Sequence, residues 1–182
     1  DEAVISTDEY ASAYILTMDP SGVPKDIQMF NSDGGDRVDS IVFAQNGDML
    51  VAGSACWLQD TSCTLTGFGI SLPAVDEGGD AWIARLGQGG EAVWSFMIGS
   101  KGFDTIHSIA ESPDGSIYIT GTFCQGVSLL CKIPIGDQLH QSKGGADVML
   151  AKLSSEGDVI WSKSFGSGST DTDMFNSWYS LS

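Results

Sequence analysis

The feature that most constrains this chain is that it repeats itself. Residues 80–108 and 147–175, set 67 positions apart, agree without a gap at Asp80/Asp147, Ala84/Ala151, Leu86/Leu153, Gly90/Gly157 and Trp94/Trp161. The agreement continues at Ser95/Ser162, Gly99/Gly166, Ser100/Ser167, Asp104/Asp171 and Thr105/Thr172. An earlier copy lies 68 positions upstream, matching Ile15/Ile83, Gly22/Gly90, Met29/Met97, Asp36/Asp104, Ile41/Ile109, Gly47/Gly115, Gly53/Gly121, Cys56/Cys124 and Cys63/Cys131. Self-similarity at a fixed period marks a repeat architecture, in which each copy is one supersecondary unit that buries its apolar faces against its neighbours.

Each copy reads as four short strands. Asp39–Gln45 and Met49–Gly53 flank Asn46-Gly47, whose composition predicts a type I′ hairpin turn with positive φ at both central residues. Ala81–Leu86 and Glu91–Ile98 flank the turn Gly87–Gly90. The next copy gives Ile106–Glu111, Ile117–Thr120, Val148–Leu153 and Val159–Phe165, with turns at Asp114-Gly115 and Glu156-Gly157. No segment sustains a 3.6-residue apolar period, so no helix of any length is expected. Met49-Leu50-Val51 and Ile117-Tyr118-Ile119 are apolar at adjacent positions, the pattern of strands covered on both faces. An all-β fold of four-stranded antiparallel β-propeller blades meets these demands, with a β-sandwich or an open β-solenoid as the alternative.

Composition narrows the class further. The 182 residues carry 24 acidic against 8 basic side chains, a net charge of -16. Charged residues are nonetheless only 18% and hydrophobic ones 42%, which is the composition of a chain with a core rather than of an acidic tail. The acidity argues against nucleic acid, whose phosphates demand a Lys/Arg surface. No run of about 18 apolar residues is present to span a membrane. Asp1 stands where a Met would open a chain, and the stretch Met174–Ser182 is apolar and aromatic, so the sequence is expected to continue beyond its ends.

The stretches Asp80–Leu86, Gly90, Trp94-Ser95, Gly99 and Asp104, followed by Ser112-Pro-Asp-Gly-Ser-Ile-Tyr-Ile-Thr-Gly121, resemble the bacterial β-propeller repeat of the SBBP type. Its blade runs roughly D-A-F-V-A-K-L, a glycine turn, W-S, then a D-G turn and Y-V-T-G. Asp147–Leu153, Gly157, Trp161-Ser162, Gly166 and Asp171 match it again. The first copy departs, with Asp26 in place of the tryptophan and Met18 in place of leucine. The resemblance implies a propeller fold and an exported or cell-surface protein, and brings no catalytic residue with it. On this plan residues 1–36 hold an N-terminal segment and the last two strands of a first blade. Residues 37–103 and 104–170 are a second and a third blade, and 171–182 start a further one. Closed rings have about 4–8 blades, so the remaining blades of a longer chain, or further copies of this one, are expected as partners. A surface protein or a glycan is the other partner expected.

Cys56/Cys63 and Cys124/Cys131 share one spacing at one place in two successive copies, which predicts two local disulfides and an oxidising compartment. Zinc is the competing reading, though structural zinc sites usually space their cysteines more closely. Asp36, Asp104 and Asp171 recur ahead of each first strand. They read either as weak calcium ligands, beside neighbours such as Asp33, Asp39 or Asp173, or as turn aspartates bonding local N–H groups. No cofactor is otherwise expected. Trp94 and Trp161 are expected to wedge between blades, whereas Trp57, in the long connection after the second strand, is the exposed aromatic best placed for binding. His107 and His140 occupy non-equivalent positions, no G-x-S-x-G elbow occurs, and Gly166–Ser169 reads as a blade-linking turn, so no catalytic residue is assigned. The expected function is a non-enzymatic, extracellular scaffold, adhesion or assembly module. A carbohydrate-binding propeller or part of a quinoprotein-like propeller enzyme are the alternatives.

Overall fold

A computed structural model describes residues 10–58, 61–127 and 131–168. The proposed last segment, with Asp171, Asp173 and Trp178, lies outside the described residues, as does the acidic start 1–9. The described residues are all-β, in antiparallel sheets without a helix. No helix long and apolar enough to cross a membrane occurs among them.

The middle copy forms a four-stranded sheet in chain order, β3 (Gly35–Phe43), β4 (Met49–Trp57), β7 (Asp80–Leu86) and β8 (Ala92–Ile98). The next copy forms its counterpart from β9 (Phe103–Glu111), β10 (Ile117–Gln125), β13 (Asp147–Leu153) and β14 (Val159–Phe165). Ahead of both stands a hairpin, β1 (Ala13–Met18) with β2 (Pro24–Phe30). The connections between second and third strands are not plain loops as expected. Each holds a two-stranded hairpin, β5 (Thr64–Gly67) with β6 (Ile70–Pro73) in one, β11 (Lys132–Ile135) with β12 (Gln138–Gln141) in the other. First strands also begin earlier than expected, so that Asp36 and Asp104 lie inside β3 and β9 rather than before them.

The turn expected as type I′ is corrected. The Ala44 carbonyl accepts the Gly47 N–H, Ala44 N–H donates to the Asp48 carbonyl, and Gly47 alone takes positive φ. That is a type I turn closed by a left-handed glycine, a three-residue loop in which only one position must tolerate positive φ. The same bonds and a positive glycine φ recur at Gly22, Gly90, Gly115 and Gly157. A second glycine is fixed by crowding: a Cβ at Gly53 would sit 2.1 Å from the Arg37 carbonyl oxygen, and one at Gly121 2.0 Å from that of Thr105. Both stand beside bulges of the first strand, whose extra residues are Asp39 and His107.

The first four-stranded sheet is covered on both faces. Val51, Ala55, Trp82, Ala84 and Leu86 pack on one side with Phe30, Leu65 and Ile70. Leu50, Ala52, Ala81 and Ile83 pack on the other with Ile106, Ile109, Ile119 and Met149 of the second sheet. β9 is the strand that leans on β3, β4 and β7. Trp82, not one of the two expected wedges, is the largest fully buried side chain; its ring lies 4.6 Å from Phe30 and its Nε1 donates to the Ser54 carbonyl at 3.2 Å. Trp94 is half-buried and locks the sheets together by donating from Nε1 to the Ser155 carbonyl at 3.0 Å. Trp161, its counterpart, instead meets Tyr118 within its own sheet, edge-on at 6.2 Å.

Candidate functional site

At one end of the two sheets, where β4 and β10 finish and β3 and β9 begin, the recurring aspartates are each held by three donors. Ser32 N–H and Oγ donate to the two carboxylate oxygens of Asp36 at 2.7 and 2.6 Å, and Cys56 N–H adds a bond at 3.2 Å. Asp104 repeats the arrangement with Ser100 N–H at 2.6 Å, Ser100 Oγ at 2.8 Å and Cys124 N–H at 2.8 Å. Cys56 and Cys124 both take left-handed backbone, φ 60° and 62°, which is uncommon for a residue with a Cβ. Each then closes a disulfide, Cys56–Cys63 and Cys124–Cys131, with the same 5.8 Å between Cα atoms. One unit is thus stamped twice: aspartate, backbone N–H of a strained cysteine, disulfide. Closing a loop of this size stabilises the fold by about 2.5 kcal/mol on the chain-entropy argument.

Burial raises the pKa of Asp36 and pushes that of Asp104 up to about 7, where the negative charge of Asp80 adds to the effect. Asp80 itself is pushed up to about 6 by burial. Its Oδ2 takes the Val75 N–H at 2.5 Å, and its Oδ1 is buried without a partner, as is Asp147 Oδ1 at the equivalent place. The oxygens of Asp36 and Asp104 are turned to N–H and O–H donors, whose hydrogens would face any cation. No group of three or more His, Cys, Asp or Glu side chains placed to hold a metal occurs among the described residues. Asp39, read as a neighbouring ligand, pairs with Arg37 at 2.8 Å and accepts from Thr105 Oγ1 at 2.9 Å.

Beside Asp36 opens a cleft of about 380 Å³ lined by residues of both repeats, among them Arg37, Ser54, Trp57, Phe103 and Gln125. Its floor is a pair of cross-strand positions used differently in the two copies. In the first, Gly35 faces Trp57; in the second, Phe103 faces Gln125. A Cβ at Gly35 would stand 3.3 Å from the Trp57 ring, so the missing side chain leaves the indole its place. Trp57 is 50% exposed and meets Phe103 edge-on at 6.1 Å. Ser54 is buried at 1% exposure and its Oγ has no hydrogen-bond partner. Its counterpart Thr122 is bonded to His107 at 3.2 Å.

The exposed aromatic was foreseen; the hydroxyl behind it was not, because nothing in one repeat says that Asp39, standing where the next copy has His107, will turn away to Thr105. The two histidines are not brought together. His140 meets Ser162 at 2.7 Å, and Ser162 Oγ lies within 3.2 Å of both the Ile135 carbonyl and Gln138 Oε1, in a buried setting away from the cleft. No protein-family model matches this chain, and no curated protein matches it either.

Proposed function

We propose that this chain is a run of β-propeller blades from an extracellular or cell-surface protein, working without catalysis as a scaffold, adhesion or assembly module. One observation carries the reading. Ala81, Ile83 and Arg85, on the face of β7 turned to the second sheet, are at most 7% exposed. Val148, Leu150 and Lys152, on the same face one repeat later, are all partly exposed. The outer face of the second sheet thus leaves Val148 and Leu150 half-covered beside Lys152, and a further sheet of the same kind, placed as the second is on the first, would cover them. The front of the stack says the same: Ile41 is 44% exposed where Ile109, its counterpart, is 3%. The two disulfides support an oxidising compartment.

Electron microscopy of the associated protein tests this. Sheets arranged radially about an axis are the expected result. Sheets stacked in a line or joined edge to edge would overturn it.

A further inference from the structure

We infer that the cleft at Trp57 is a binding site for a neutral pyranose sugar. Its charge selects the ligand first. Arg37 stands at the rim and is paired with Asp39 at 2.8 Å, with the Asp36 carboxylate beneath. An anion would meet the Asp36 carboxylate and a chain of net charge -16, and a cation would meet the guanidinium. The site suits a neutral molecule with hydroxyls to bond and an apolar face to bury.

Shape and surface select it second. Trp57 is half exposed and offers one aromatic face, with Phe103 beside it. The C–H face of a pyranose ring lies flat on such a surface, its weakly positive hydrogens on the negative face of the indole. The volume falls within the range of small-molecule sites, about 300–1,000 Å³, and suits one or two rings. The polar groups select it third. Ser54 Oγ is buried and unpaired, and an unmatched buried hydroxyl costs about 1–3 kcal/mol unless a ligand or water meets it. Gln125 and Arg37 supply donors on the other walls. The same place one repeat later has no such vacancy, since Thr122 is bonded to His107.

All these residues belong to one chain, so the site does not rest on ring formation. A protein that binds sugar with its sheets stacked in a line leaves this inference standing while the propeller reading falls, and a radial arrangement that binds none does the reverse. The test is tryptophan fluorescence of the full chain titrated with lactose, maltose, cellobiose and mannobiose, alongside glucuronate, choline and a proline-rich peptide. At least one neutral disaccharide should give a saturable change. Trp57→Ala should then weaken binding at least about tenfold, as loss of a central aromatic anchor does. Ser54→Ala, a small change that keeps the fold, should weaken it about threefold. The inference is overturned by absence of saturable binding to all four disaccharides, by binding indifferent to both substitutions, or by preference for the glucuronate, choline or peptide.

Discussion

The two four-stranded sheets have the same strand order, the same turns, the same bulge and the same disulfide, yet they are not in the same situation. The first is enclosed between the β1–β2 and β5–β6 hairpins and the second sheet, and every residue of its third strand, β7, is buried. The second is covered on one side only, and β13 alternates between buried and half-buried along its length. Sequence period sets the local geometry of a repeat; what a repeat buries is set by its neighbours. The difference between the sheets thus isolates the contribution of the neighbour from that of the strand.

The largest expected effect tests this at paired positions. Ile83→Ala in the enclosed sheet should cost about 2–5 kcal/mol in denaturant unfolding, through lost burial and the cavity left behind. Leu150→Ala, its partner, should cost clearly less when measured in dilute, dissociated protein. Equal losses there would break the comparison. Removal of a disulfide should by contrast cost the same in both sheets, about 2.5 kcal/mol for Cys56→Ser with Cys63→Ser and for the Cys124 and Cys131 pair. Guanidinium midpoints of the two double variants should coincide.

Acidity gives a third contrast. Asp80 and Asp104 have folded pKa values pushed above the ordinary 3.8, to about 6 and about 7. The folded state then holds more protons than the unfolded one between those limits, so their contribution favours folding at low pH and declines as pH rises from about 4 to about 7. Melting temperature should fall over that window, and Asp104→Asn should flatten the fall. Asp114, exposed and lowered to about 2 by its bonds to Ser112 and Ser116, gives the control, since Asp114→Asn should leave the slope above about pH 5 unchanged. The smallest effect belongs to the tryptophans. Trp94→Phe loses the bond to the Ser155 carbonyl and should cost about 1 kcal/mol beyond Trp161→Phe, measured by urea unfolding.

Much of the strand plan was legible because turn chemistry is local. A glycine four residues after the last strand residue marks the β1–β2, β3–β4, β7–β8, β9–β10 and β13–β14 hairpins whatever lies elsewhere, and the paired cysteines announced their loops by spacing. The small hairpins β5–β6 and β11–β12 were not legible. Their four-residue strands carry too short a pattern, and the turn at Phe68 places a bulky residue at φ 51°, against its steric preference, where it stacks on Phe30 at 4.5 Å. The cleft was legible in one residue, Trp57. Its remaining walls come from positions as far apart in sequence as Gly35 and Gln125, and only the packing of one sheet on the next sets them face to face.

On the proposed reading, the half-buried face of β13 receives another sheet of its own kind. Light scattering of the full chain across a concentration series tests it most directly, run in parallel with Leu150→Asp. Association above the 19.2 kDa of one chain is the expected result, with its loss in the substituted protein. A mass of 19.2 kDa for both proteins at every concentration would contradict it.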